Sequence, residues 1–133
     1  PGVKRFMDKA VADGKALGYA QTLLGRRRPL PELSSSNYNT RAFGERAAMN
    51  TPVQGAAADI IKLAMIRVSE ELSSRGLQAK LILQVHDELI VESPEAERAE
   101  VAALLRDCME GVMALDVPLQ ADVHSGRTWF DAK

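Results

Sequence analysis

The residues best suited to chemistry in this chain are His86, Asp87 and Glu88, set in the run Gln84-Val85-His86-Asp87-Glu88-Leu89-Ile90-Val91-Glu92. Apolar, β-branched-rich residues flank a charged break, which predicts a strand over 80–85, a second strand over 88–92 and a two-residue turn at His86-Asp87. Such turns usually carry Asn-Gly or Gly-Gly, because their central residues often need positive φ. His-Asp is poor turn chemistry, and a local rule broken at a polar tip points to function. The chemistry on offer is that of a hard cation. An Asp87 carboxylate at a hairpin tip, with Glu88 as a second or supporting ligand, suits Mg²⁺, which keeps water and substrate phosphates in its shell. The same triplet also reads as a plain solvated turn, and two-metal phosphoryl chemistry needs a further carboxylate fixed opposite.

Two other clusters carry polar chemistry. Arg46, Asn50 and Gln54 recur every fourth residue, so on a helix they share one face. That face is either solvated or a row of donors for a ligand. Arg26, Arg27 and Arg28 follow Gly25 and read as a basic turn, able to hold phosphate or simply to face water.

Elements to position these groups follow from hydrophobic periodicity. A first helix is expected from Val3 to Leu17 with Gly18 as its stop, then a short strand from Tyr19 to Leu24. A long helical region runs from about Arg41 to Ser73, with a kink or break at Thr51-Pro52 and an end at Arg75-Gly76. Asp59 is expected near the start of the second helical segment, where negative charge is favoured. Pro94 opens another helix whose stripe is Val101, Leu104, Leu105, Cys108, Met109 and Val112. Leu119 to His124 reads as a last strand after Pro118. The sum is an α+β fold: a small antiparallel sheet backed by long helices. Tyr19 and Trp129 are expected as core anchors, and the single Cys108 as a buried core thiol.

Composition bounds the function classes. A chain of 133 residues with 46% hydrophobic and 26% charged residues suits one soluble domain over 1–133. It has no apolar run of about 18 residues and no basic-then-apolar start, so neither a membrane span nor a secretory signal is expected, and the cytoplasm is. The net charge of −1 hides an asymmetry: residues 1–67 hold 11 Lys/Arg against 5 Asp/Glu, and residues 68–133 hold 6 against 13. A basic half can track a phosphate backbone while an acidic half gathers cations.

The motif Gln84 to Glu92 resembles the last catalytic motif of the family A DNA polymerases, the DNA polymerase I family. The resemblance continues through Gly18-Tyr19-Ala20-Gln21-Thr22-Leu23-Leu24-Gly25-Arg26-Arg27-Arg28, through Glu45 to Ile61 with its Arg46, Asn50, Thr51-Pro52 and Gln54-Gly55, and through His124 to Lys133. It covers essentially the whole chain in order. The family's earlier Asp-Tyr-Ser-x-x-Glu motif and its nucleotide-gripping helix have no counterpart here, so the resemblance implies a C-terminal palm fragment. It implies template-directed DNA synthesis by nucleotidyl transfer, a two-ion Mg²⁺ site completed by residues outside this chain, and primer–template DNA and a deoxynucleoside triphosphate as partners. It assigns metal binding to Asp87 and Glu88, minor-groove contacts to Arg46, Asn50 and Gln54, and a primer-terminus contact to His86. Two other readings stay open: a non-catalytic nucleic-acid-binding module, and a metal-dependent phosphodiesterase using Asp87, Glu88 and Asp59 or Asp122. A palm fragment also exposes sheet edge and apolar surface, so self-association is an expectation.

Overall fold

The computed structural model describes residues 1–132. Its chain order is α1 (Gly2–Leu17), β1 (Tyr19–Gln21), β2 (Arg27–Pro29), a 3₁₀ turn (Pro31–Ser34), α2 (Tyr38–Ser74), β3 (Lys80–Val85), β4 (Glu88–Glu92), a 3₁₀ turn (Glu95–Glu97) and α3 (Arg98–Glu110). This is the expected mix of long helices and antiparallel strands, with the strands in two separate two-stranded ribbons, β1–β2 and β3–β4. The chain divides into two compact units, Pro1–Asp59 and the remainder from Ile60, and α2 contributes residues to both.

In the first unit, α1 ends where Gly18 adopts a left-handed φ of 77° and its N–H returns to the Gly14 carbonyl. The chain then forms β1 and doubles back to β2, pairing Tyr19 with Pro29 and Gln21 with Arg27. The reversal lies at Thr22–Arg26, closed by Thr22 N–H to the Arg26 carbonyl at 2.9 Å and Gly25 N–H to the Thr22 carbonyl at 3.0 Å. Leu23 and Leu24 therefore sit in an exposed turn rather than a strand, and Arg27 and Arg28 belong to a strand rather than the turn. Ala20, Leu30, Leu33, Ala47 and Ala48 form the core, with Val11 against it. Small residues at 47 and 48 let α2 lie close to the ribbon. The rest of the α1 stripe is left open: Val3, Phe6 and Met7 line an apolar cleft with Met49 and Val53.

Of the kink or break expected at Thr51-Pro52, a break does not occur: α2 runs on with Pro52 inside it. Proline there removes the N–H that would bond the Ala48 carbonyl, at a typical cost of about 3 kcal/mol. The Thr51 hydroxyl donates to the Ala47 carbonyl at 2.6 Å rather than to the Ala48 carbonyl, so it is the burial of Ala47 and Ala48 that holds this stretch of helix to the core.

In the second unit, β3 and β4 pair from Lys80↔Glu92 to Val85↔Glu88, with a one-residue irregularity at Ile82. Leu81, Leu89 and Val91 pack on a core of Val68, Leu72, Ala79, Val101, Leu104 and Cys108. The helical stripe expected from residue 101 onward supplies three of those six. Full burial of one such leucine, Leu104 at 1% exposure, is worth about 1.5–3 kcal/mol. Glu97 fixes the base of the ribbon: its two carboxylate oxygens accept the Gln78 and Ala79 N–H groups at 2.9 and 3.0 Å.

Two expectations fail here. Leu119 to His124 forms no strand; no sheet neighbour pairs with it among the described residues, and the Ala121 N–H goes instead to the Glu110 carboxylate at 3.0 Å. Trp129 is 46% exposed and is not a core anchor. The final residue of the terminal motif, Lys133, lies outside the described residues.

Candidate active site and nucleic-acid interface

His86 and Asp87 form the two-residue loop between β3 and β4, so both side chains stand at the tip of the ribbon, with Glu88 opening the return strand. His86 has φ 53°, the one positive value at a non-glycine among the described residues. Asparagine, aspartate and histidine tolerate this region better than other residues, but it still carries strain at a tip where glycine would carry none. Gln84 reaches over the turn and donates its side-chain amide to the His86 carbonyl. The strain expected from the His-Asp pair is thus localised on His86.

His86, Asp87 and Glu88 are all exposed. Among the described residues, neither carboxylate accepts a hydrogen bond or joins an ion pair. Two hard oxygen donors at consecutive positions, without competing cations among the described residues, fit Mg²⁺ as a partial ligand set whose remaining positions come from substrate phosphate and water. The described residues hold no cluster of three or more His, Cys, Asp or Glu suited to a metal ion. A phosphodiesterase centre built from Asp87, Glu88 and Asp122 is therefore not formed among the described residues.

The other candidates gather in the first unit. Because α2 is continuous through Pro52, Arg46, Asn50 and Gln54 keep their four-residue register and all three are exposed. None makes a side-chain hydrogen bond among the described residues, so the row presents unspent donors. Gln54 also helps line a cleft with Thr22, Arg26, Arg27, Arg28, Thr51 and Gly55, which joins the arginines to one end of that row.

Sequence reasoning missed what holds the arginines there. Asp59 is not a helix-start charge but a buried side chain, 2% exposed, in the body of α2. Its carboxylate accepts the Thr22 hydroxyl at 2.5 Å and the Arg26 Nε at 3.1 Å, and Arg26 Nη2 lies 3.1 Å away. The Thr22 hydroxyl bond, then Arg26 and the Leu24 backbone, outweigh burial and hold the Asp59 carboxyl below the ordinary aspartate range. One helical turn earlier, Gly55 has no side chain where a Cβ would overlap Thr22 Cγ2 and lie 3.1 Å from its Cβ. The β1–β2 turn thus sits directly on the α2 backbone. An aspartate four residues after a glycine, in a helix facing a threonine-led turn, was the available signal. Arg27 lies over the Tyr19 ring at 4.7 Å. In the second unit, burial pushes the Cys108 thiol up, as its expected core position requires.

The profile of the family described as DNA polymerase family A matches residues 1–131. The chain is 54% identical over all its 133 residues to DNA polymerase I of Bacillus caldotenax and 55% identical to that of Geobacillus stearothermophilus, and spans 15% of the length of each. DNA polymerase I of Bacillus subtilis is 53% identical over 132 residues. Among solved structures, the POL domain of Pol1 from M. smegmatis, in complex with DNA primer-template and dNTP, superposes with a TM-score of 0.94 at 48% identity, covering 98% of this chain and 23% of that one. With the His-Asp hairpin tip, the exposed Arg46-Asn50-Gln54 row and a profile match over nearly its whole length, the chain belongs to DNA polymerase family A.

Proposed function

We propose that this chain supplies one side of the active site of a template-directed DNA polymerase, working in the cytoplasm as part of a longer polypeptide. The observation that carries the reading is the ribbon tip: two adjacent carboxylates with no partner among the described residues, on a hairpin anchored to a buried core. The reaction is nucleotidyl transfer. The primer 3′-hydroxyl attacks the α-phosphate of a deoxynucleoside triphosphate, the bond to the β-phosphate oxygen breaks, and pyrophosphate leaves. Mg²⁺, when bound, supplies charge stabilisation to the attacking and leaving oxygens. Asp87 contributes the principal anionic oxygen to that site and Glu88 assists. His86 donates to the primer backbone or terminal base pair rather than acting as a base.

Arg46, Asn50 and Gln54 present donors to the minor groove of the primer–template. Correct base pairs offer purine N3 and pyrimidine O2 acceptors at similar positions in that groove, so a row of donors senses pair geometry without reading sequence. Arg26, Arg27 and Arg28 form a basic edge for the phosphate backbone. With one carboxylate pair and no third ligand cluster among the described residues, the chain by itself acts as a nucleic-acid-binding module, and its exposed Ile82 and Leu83 favour self-association when the chain is isolated.

Single-nucleotide primer extension with Mg²⁺ tests the reading by comparing this chain with one extended upstream through an Asp-Tyr-Ser-x-x-Glu motif. Extension only by the longer chain supports it. Extension by neither, with salt-dependent DNA binding intact, moves the function to the binding module.

A further inference from the structure

The three consecutive arginines are not equivalent. Arg26 spends its guanidinium on Asp59 through both Nε and Nη2, although its side chain is 55% exposed. Arg27 rests on the Tyr19 ring. Arg28 has no ion pair or side-chain hydrogen bond among the described residues, and it lines the same cleft as Gln54, Thr51 and Gly55. Adjacent guanidinium groups repel one another, and a five-residue reversal on a two-stranded ribbon is weakly held by itself. Asp59 removes both problems. It neutralises Arg26, and through Thr22 it ties the reversal to α2 at the point where Gly55 permits close approach.

We infer that Asp59 is a positioning residue, which locks the Thr22–Arg26 turn on α2 so that Arg28, beside Arg27 and Gln54, is held ready for a phosphate of the nucleic-acid backbone. Arg26 contributes to the basic edge through the lock, its guanidinium being paired with Asp59. The inference rests on the proposed polymerase function, since it takes the phosphate from primer–template DNA. A triphosphate offers the same chemistry and is distinguished below. The lock acts on a cation that Asp59 does not touch, which separates it from an ordinary buried ion pair.

The test uses the complete polymerase and reads the dissociation constant for primer–template over a salt series, with the KM for dNTP alongside. Arg28→Ala is expected to weaken DNA binding several-fold and to reduce the slope of log K against log salt by about 0.9, one phosphate contact. Asp59→Ala is expected to lose a similar slope, and the double variant no more than either single one, because both changes remove the same contact. Thr22→Val, which deletes the hydroxyl and keeps the shape, is expected to show the same loss in smaller measure and serves if Asp59→Ala does not fold. An Asp59→Ala or Thr22→Val enzyme with the wild-type slope, while Arg28→Ala loses it, overturns the positioning role and leaves the polymerase reading standing. Additive slope losses in the double variant overturn it as well. An Arg28→Ala enzyme with an unchanged slope overturns the backbone-phosphate site itself, and a raised dNTP KM in that case assigns the cleft to the triphosphate.

Discussion

Gly55→Ala sets two effects of known size against each other. Position 55 lies inside α2, where alanine exceeds glycine in helix propensity by about 0.8–1.0 kcal/mol, so an unencumbered site would be stabilised by the change. The new methyl would overlap Thr22 Cγ2, and overpacking of this kind typically costs about 1–3 kcal/mol. The low end of that range needs the neighbour to move freely. Thr22 cannot: its hydroxyl is held by Asp59 and also accepts the Arg26 N–H at 3.2 Å. The overlap therefore wins, and net destabilisation of about 1–2 kcal/mol is expected. Thr22→Ser removes only the offending methyl and keeps the hydroxyl, so in that background Gly55→Ala should become neutral or stabilising. Urea unfolding of the four variants, followed by far-UV circular dichroism, gives the double-mutant cycle. If Gly55→Ala stabilises the Thr22 protein by the full propensity gain, the close docking of the turn on α2 is wrong.

Other expectations are simpler. Gln54→Ala should slow extension and lower the enzyme's discrimination against mispaired primer termini; extension from matched and mismatched primers unchanged from wild type would remove Gln54 from the groove. Because the folded-state pKa of Asp59 is depressed, its contribution to stability is fully present above the ordinary aspartate value of about 3.9 and is lost as pH falls through the lowered folded value. Amide protection at Thr22 and Arg26 should therefore fade only in strong acid, and Asp59→Asn should abolish that acid dependence; identical acid profiles would contradict it. Cys108 should react slowly with a thiol reagent at neutral pH and rapidly in denaturant, since it is both buried and raised in pKa. Comparable rates in the two conditions would mean the core around α3 is open.

Much of this was legible in the residues. The β3–β4 hairpin and its two-residue tip follow from apolar runs interrupted by charge, and the stop of α1 follows from Gly18. The buried face of α3 follows from 3.6-residue periodicity. What misled were residues whose local preference was overridden by packing. Pro52 argues for a break, yet the buried Ala47 and Ala48 hold α2 in place and Thr51 bonds back to the preceding turn. Residues 119–124 carry strand-like composition, but a strand exists only with a neighbour, and periodicity does not reveal whether one is present. Asp59 reads in sequence as a local helix charge because its partners, Thr22 and Arg26, lie more than thirty residues away. The metal-ligand candidates were visible as a broken turn rule at His86-Asp87; the lock that positions the arginines was visible only in three dimensions.

The role proposed for Asp87 is that of a metal-binding carboxylate in a nucleotidyl-transfer site. Rapid-quench measurement of single-nucleotide incorporation by the complete polymerase carrying Asp87→Ala, with primer–template affinity measured in parallel, tests it most directly. Loss of incorporation by several orders of magnitude with DNA affinity nearly unchanged is the expected result. Incorporation at the wild-type rate would contradict the account.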